Sequence, residues 1–260
     1  MSVYKWRNGL PGAVRSVLQQ THSDFEFLIG TTDPMTEQYL GETVQDDRVS
    51  IRRMPVTKLY ERMNVLFGMA RGDYIAIIHD DDYYLPTFLE TLLTEFRGDP
   101  MRYAFVSSGF IREDKDGTLA PSKGTHPLAT LHHSVLYSRP YIDLLRKRDG
   151  HVWDERWEMA SETDFMHRIS SMGPSKHCGQ WLYVYRTYTS AYSPFYRRFQ
   201  NFIEGIEVAK KNGFRWPYTV LVRNFIFMFM QTAHYAGISW KGLGLEKVRA
   251  HIERWDVSYK

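Results

Sequence analysis

Three adjacent carboxylates, Asp80-Asp81-Asp82, are the group in this sequence best suited to chemistry. They follow an apolar run at 74–78 that is rich in Ile, which predicts a strand buried on both faces of a parallel sheet. Ligands of open α/β sheets bind at the carboxyl ends of strands. Adjacent carboxylates repel one another unless a cation neutralises them, and oxygen ligands favour Mg²⁺ or Mn²⁺. The pattern predicts a divalent-metal site, with an acidic turn that caps a helix near Pro86 as the alternative.

A second acidic pair, Glu162 and Asp164, lies at the start of a predicted helix. Ser161 suits the N-cap, and Asp164 three residues later completes a pattern similar to a capping box. Asp164 therefore has a structural interpretation, whereas Glu162 on the first turn is free for chemistry. The positive end of the helix dipole favours an ionised carboxylate, which is the state that a general base needs.

Helical and strand-like patterns alternate along the first hundred residues, and this predicts an α/β fold with a doubly wound, mostly parallel sheet flanked by helices. The predicted order is a helix at 11–20, a strand at 25–29, a helix at 35–42, a strand at 49–53, a helix at 59–70 and then the acidic strand. Later patterns predict strands at 101–108 and 176–185, a hairpin turn at 114–117, and helices at 195–212, 218–235 and 245–255.

Composition limits the cellular setting. The chain has 260 residues, 43% of them hydrophobic, and a net charge of +3, which permits an anionic ligand without requiring nucleic acid. The single cysteine, Cys178, suits a reducing compartment. No signal-peptide core is visible at the start, and the longest apolar run, 225–230, is far shorter than a membrane span. We expect a cytoplasmic protein, either free or attached to a membrane surface.

Two stretches resemble family-two glycosyltransferases of the GT-A fold. Residues 13–29 are similar to the opening helix and second strand of that family. Residues 70–86, with Ala-Arg-Gly-Asp-Tyr-Ile-Ala, then His-Asp-Asp-Asp and Leu-Pro, are similar to the segment that carries its Asp-x-Asp motif. The resemblance implies a GT-A catalytic domain over 1–190, with a nucleotide-binding half at about 1–100 and an acceptor half at about 101–190. A helical extension would follow at 191–260.

The resemblance also implies a role for each matching residue. It places the metal on Asp81, assisted by Asp80 and Asp82, and makes Glu162 the general base with Asp164 as the second candidate. Four residues would contact the donor nucleotide or its diphosphate: Asp33, Asn64, Asp80 and Arg186.

Several positions depart from the family pattern. His79 stands at the first aspartate position of the motif, Met63 replaces an arginine, and one acid, Asp33 after Thr32, replaces the usual pair. The first strand is nearly missing, so either the chain begins abruptly at this strand or the nucleotide pocket is rebuilt. The adjacent histidines His132-His133 lie on a predicted strand, where they would point to opposite faces and not share a metal.

The resemblance implies an inverting, metal-dependent transfer from a nucleotide-diphosphate sugar, with a UDP-sugar favoured, to an acceptor hydroxyl. Mn²⁺ or Mg²⁺ would be the cofactor. The acceptor would be a glycan or lipid-linked intermediate of surface glycan synthesis, with a nucleic-acid base or a protein as alternatives, and the C-terminal helices could form a homodimer. Two rivals stay open. A nucleotidyltransferase would need a Gly-rich, basic first loop, which only 7–12 approach. A non-catalytic nucleotide-sugar-binding protein would explain the departures from the motif.

Overall fold

The N-terminal region folds as alternating strands and helices. The computed structural model describes residues 1–56, 58–122, 132–186 and 195–213. Its first elements are β1 (Ser2–Val3), α1 (Leu10–Leu18), β2 (Phe27–Thr31), α2 (Pro34–Thr43), β3 (Val49–Arg53), α3 (Leu59–Met69) and β4 (Tyr74–Ala76). β1, β2 and β3 pair in parallel in that order. The predicted α/β alternation is therefore confirmed.

A second, mixed sheet carries most of the site. Its elements and their flanking helices are β5 (Tyr83–Tyr84), α4 (Phe88–Phe96), β6 (Phe105–Glu113), β7 (Leu119–Pro121), β8 (Val135–Ser138), α5 (Arg139–Asp149), α6 (Ser161–Ser170), β9 (Ser175–Arg186) and α7 (Phe195–Lys211). The strand order is β4-β8-β6-β9-β5, with β7 paired to β6. β6 and β9 are parallel, and the other pairs are antiparallel.

β4 differs from its predicted surroundings. It pairs antiparallel with β8, and it ends at Ala76, so that Ile77 and Ile78 are buried in an irregular segment before the carboxylates. A run of apolar residues reports burial on both faces but carries no information on the direction of the neighbouring strand. The predicted buried strand is thus present, and the expectation of a parallel partner for it is wrong.

The first strand is short, as the sequence indicates. β1 has two residues. A cavity of about 660 Å³ is lined by Met1 before this strand, by side chains of β2, α3 and β4, and by polar residues at 22–26 and 71–73. Within the described residues, β2 and β4 belong to separate hydrogen-bonded sheets.

An aromatic cluster fixes the start of α6. Trp153 and Phe165 are almost completely buried, with ring centroids 4.4 Å apart, and Phe67 of α3 meets both rings edge-on. Tyr137 of β8 packs on Phe165 at 5.1 Å. Full burial of one such side chain contributes roughly 1.5–3 kcal/mol. Packing of this kind holds α6, which carries Glu162, against α3 and β8.

The chain separates into two compact units. The first contains Met1–Trp157 and Ser161–Ala191, and the second contains Glu158–Ala160 together with α7. Within the second unit, Glu204 accepts backbone N–H groups from Met159 at 2.8 Å and Ala160 at 2.9 Å. The domain boundary near residue 190 stays a prediction. The helices expected at 218–235 and 245–255 lie outside the described residues, among which no helix has the length and apolar character needed to cross a membrane.

Candidate active site

The acidic triplet lies in the turn between β4 and β5. Asp82 is completely buried and Asp81 is 6% exposed. Arg7, from the loop before α1, places Nη1 3.3 Å from Asp81 Oδ2 and Nε 3.9 Å from Asp80 Oδ2. The backbone of Gly9 in the same loop also lies close to Asp81, because a Cβ added to Gly9 would be 2.9 Å from the Cα of Asp81. The first loop and the triplet are therefore packed backbone to backbone.

Strand β9 fixes the third carboxylate. The Tyr183 hydroxyl donates to Asp82 Oδ2 at 2.5 Å, and the backbone N–H of Arg186 donates to Oδ1 at 2.8 Å. The Arg186 guanidinium lies 4.7 Å from the ring centre of Tyr83 and pairs with Glu113 at 3.2 Å. Arg186 is thus next to the triplet, and its predicted contact with the donor diphosphate stays a prediction. The sequence reasoning missed Tyr183 and Arg7 as site residues, since their separation along the chain gives no sign of contact.

The triplet has the electrostatic character expected of an ion site. Burial, assisted by the charge of Asp81, raises the pKa of Asp80 to about 6 despite Arg7. Burial also raises the pKa of Asp82 to about 7, which outweighs the opposing hydrogen bonds from Tyr183 and Arg186. His79, Asp81 and Asp82 offer ligand atoms that lie within 4.8 Å of one another. Two carboxylates that resist ionisation without a counter-charge fit a hard divalent cation.

We expect the stabilisation of the protein by Mn²⁺ to depend on pH. Asp80 and Asp82 have a higher pKa in the folded protein than the value near 3.9 in the unfolded chain. They therefore stabilise the fold below pH 4, and this stabilisation is lost as the pH rises through 6 to 7. If these carboxylates hold Mn²⁺ as predicted, the ion binds their ionised forms and offsets this loss. At about 100 times its dissociation constant it adds about 2.7 kcal/mol, or roughly 5–10 °C in Tm. Thermal scans at pH 7.5 should show this shift, and scans at pH 5 less than half of it. Equal shifts at both pH values would contradict the assignment.

Histidines connect the triplet to Glu162. The Nδ1 atom of His132 lies 3.2 Å from Glu162 Oε2, and the Nε2 atoms of His79 and His133 are in contact. His132 and His133 occupy a 3-10 turn, His132–Ser134, that precedes β8. Strand alternation does not apply to that turn, so both rings point into one cluster with centroids 3.4 Å apart. The prediction that they face opposite sides and cannot meet at one site is wrong.

Glu162 has the protonation state of a base. Its burial raises the carboxyl pKa, but His132, by charge and hydrogen bond, and His79 outweigh burial, so the pKa is lowered overall. Burial lowers the pKa of His79 to about 4 and that of His133 well below its usual value. About a third of the Glu162 side chain is exposed. An ionised, reachable carboxylate can accept a proton from a bound hydroxyl.

The sequence of residues 1–227 matches the family model described as Glycosyl transferase family 2. The chain belongs to glycosyl transferase family 2. The match covers both acidic groups and every strand that the structure describes, which agrees with the resemblance drawn from the motifs.

Relatives and solved structures support the same family. The chain is 26% identical over 204 residues to the O-antigen biosynthesis glycosyltransferase WbnJ of Escherichia coli, covering 68% of this chain and 80% of that protein. It is 28% identical over 192 residues to a chondroitin synthase of Pasteurella multocida, covering 69% of this chain but only 19% of that protein. It also spans less than half, 46%, of CgeD of Bacillus subtilis, at 24% identity over 67% of this chain.

The fold is that of a solved glycosyltransferase. The crystal structure of Staphylococcus aureus TarS 1–349 in complex with UDP-GlcNAc superimposes with a TM-score of 0.63 at 13% identity, covering 90% of this chain and 71% of that one. The GT-A fold class is therefore confirmed. The roles of the individual residues in this family-two chain stay predictions.

Two nucleotide-binding candidates of the family pattern have local structural partners. Asp33 follows β2 and caps α2, accepting from the Thr36 hydroxyl at 2.5 Å and the Thr36 N–H at 3.1 Å; the hydroxyl bond is the main reason that its pKa is lowered. The Asn64 amide on α3 exchanges two hydrogen bonds of 2.9 Å with the backbone of Trp153. These contacts give Asn64 a role in holding the segment before α6.

Asp164 has a structural environment. Its carboxylate is fully buried and accepts from Arg168 Nε at 2.6 Å, and Arg168 also reaches Asp149 at 3.1 Å and the Val152 carbonyl at 2.6 Å. The Ser161 hydroxyl donates to the carbonyl of Asp154 at 3.1 Å. Asp164 thus forms a buried ion pair, a structural role that favours Glu162 over Asp164 as the base in this family-two site, and its capping role stays a prediction.

Replacing Arg168 by Met should cost roughly 3–5 kcal/mol of unfolding free energy, because it breaks a buried ion pair and leaves the Asp164 charge in an apolar interior. Urea unfolding measures this loss. Arg146 on α5 is a matched control, since its exposed pair with Asp143 should contribute less than about 1 kcal/mol. A loss at Arg168 no larger than at Arg146 would show that the pair is not formed.

Proposed function

We propose that this protein transfers a sugar from a nucleotide-diphosphate donor to an acceptor hydroxyl, with inversion at the anomeric carbon. The observation that carries the proposal is the connection of the carboxylate triplet to Glu162. His79 makes this connection, because its Nδ1 atom lies 3.9 Å from Asp82 and its ring lies beside the rings of His133 and His132. A site for a charged leaving group and a proton acceptor therefore lie on either side of one imidazole. Membership of a glycosyltransferase family supports this chemistry.

Asp81 and Asp82 are the residues that we propose to hold Mn²⁺ or Mg²⁺, with Asp80 beside them. When bound, such an ion neutralises the charge of the departing nucleotide diphosphate. Asp82 is held in place by Tyr183 and the backbone of Arg186, so its oxygens are oriented before any ligand arrives. The Arg186 guanidinium lies at the same edge of the sheet, where it can contact a phosphate.

Glu162 performs the proton transfer in this proposal. Its carboxylate oxygen takes the proton of the acceptor hydroxyl as that oxygen attacks the anomeric carbon. His132 holds the carboxylate through Nδ1 and keeps it ionised. Because one nucleophile displaces the leaving group directly, the product has the opposite anomeric configuration to the donor.

The donor class and the acceptor class are inferred from the relatives. TarS is solved with UDP-GlcNAc, which supports a UDP-sugar donor. WbnJ is named for O-antigen biosynthesis, and the Pasteurella relatives are named as chondroitin and hyaluronan synthases, which supports a glycan or lipid-linked acceptor in surface glycan synthesis. No distance among the described site residues favours a nucleic acid or a protein as the acceptor.

Titration calorimetry with UDP, GDP and their sugar conjugates, with and without Mn²⁺, tests the donor site. We expect binding of one nucleotide class that strengthens in the presence of Mn²⁺. NMR of the glycoside formed on a panel of sugar acceptors then tests inversion, with an α-linked donor giving a β-linked product. Folded protein that binds none of the nucleotides would overturn the proposal, and binding without turnover on any acceptor would support a non-catalytic protein.

A further inference from the structure

We propose that His79, His132, His133 and Glu162 form a second metal site, which takes Zn²⁺ or a similar transition-metal ion. Each of the four offers one ligand atom, and these atoms lie within 4.8 Å of one another. The residues come from three separate parts of the chain, namely the end of the β4 segment, the turn before β8 and the first turn of α6. Their convergence is a product of the fold.

The ligand set distinguishes this site from the carboxylate triplet. Three imidazoles and one carboxylate are the ligands that Zn²⁺ prefers, whereas Mg²⁺ selects oxygen. Ligands at about 2.0–2.1 Å from a tetrahedral ion lie about 3.4 Å apart. The 3.2 Å between His132 Nδ1 and Glu162 Oε2 already matches that separation. The Nε2 atoms of His79 and His133 are closer together than that, so these two rings must move apart to bind one ion.

Hydrogen bonding leaves two of the histidines poorly satisfied. His133 is 4% exposed, and within the described residues its Nδ1 atom has no hydrogen-bond partner. Its Nε2 atom faces Nε2 of His79, and two neutral imidazoles can bond there only if one gives a proton. Neutral imidazole is the form that ligates metals, so an ion would bind both Nε2 atoms in place of the proton that they otherwise share.

His79 connects the two sites through different nitrogen atoms. Its Nδ1 atom lies toward Asp82 at 3.9 Å, and its Nε2 atom lies toward His133. Given the proposed function, Zn²⁺ bound at the histidines would occupy Glu162 and prevent it from accepting the proton of the acceptor hydroxyl. We therefore expect Zn²⁺ to inhibit transfer while Mn²⁺ supports it.

Co²⁺ absorption provides a test that does not depend on activity. The full chain, freed of metal by chelation and kept in excess Mg²⁺ to fill the carboxylate site, is titrated with Co²⁺. We expect one equivalent to produce the visible bands of tetrahedral coordination, and one equivalent of Zn²⁺ to abolish them. His132→Gln and Glu162→Gln should each weaken Co²⁺ binding at least about tenfold, since even outer-shell changes cost 10–100-fold.

Two controls assign the site. His22→Gln removes a histidine of the exposed segment after α1 and should leave the bands unchanged. Asp81→Asn should also retain them, because Asp81 belongs to the other ligand set. Absence of tetrahedral bands in folded wild-type protein would overturn the proposal. The proposal would also be overturned by bands that survive in His132→Gln and Glu162→Gln but vanish in Asp81→Asn. A protein that binds Co²⁺ as expected but no nucleotide would contradict only the proposed function.

Discussion

Replacing Glu162 by Gln should lower kcat roughly 10²–10⁴-fold, because the amide cannot accept the proton of the acceptor hydroxyl. Donor binding should stay within about twofold, since no donor contact is assigned to this side chain. Steady-state assays with saturating donor measure the first quantity and calorimetry the second. The expected loss is large compared with other substitutions because the reaction loses the group that accepts the proton.

Glu37 provides the matched control for Glu162. It also lies on the first turn of a helix, α2, so Glu37→Gln makes the same chemical change away from the cluster and should leave kcat unchanged. Asp164→Asn separates the two base candidates. Its effect should fall on unfolding free energy rather than on kcat, since Asp164 is buried against Arg168. A larger loss of kcat in Asp164→Asn than in Glu162→Gln would reverse the assignment of the base.

Replacing Asp81 by Ala should abolish the Mn²⁺-dependent part of nucleotide binding and reduce kcat at least about 10²-fold, through loss of charge stabilisation on the leaving group. Calorimetric titration of the preferred nucleotide with and without Mn²⁺ measures the effect. Asp81 is the most informative of the three acids, because Asp82 also bonds to Tyr183 and its removal would disturb β9.

Asp47→Ala is the control for Asp81→Ala, because Asp47 is an exposed acid before β3. It should retain full metal dependence. The Arg7 guanidinium offers a further check. Arg7 contacts both Asp80 and Asp81 and stays beside the triplet when Asp81 is removed, so weak metal-independent binding of the diphosphate is expected to persist. Metal-dependent binding that is unchanged in Asp81→Ala would exclude this residue as a ligand.

The general plan of the fold follows from local pattern. Apolar spacing predicts α1, α3 and the alternation of strands and helices over the first hundred residues. Most ends fall within about three residues of their predicted positions, whereas β6 begins four residues later and ends five residues later than expected. Its last residues pair with β7 and form the first arm of the hairpin around 114–117. β4 shows the limit of pattern, since the antiparallel direction of its partner depends on β8, some sixty residues away.

The candidate site likewise has features that the sequence predicts and features that depend on the fold. The sequence by itself predicted which acids to consider, since Asp80 to Asp82 and Glu162 are notable through neighbouring residues and helix position alone. Only the tertiary structure decided how they act. It brings Tyr183 and Arg186 to Asp82 across about a hundred residues, buries Asp164 against Arg168, and folds His132 and His133 into a turn that meets His79. The physical reason is that burial and partner charges set the state of a carboxylate, and both come from residues distant in sequence.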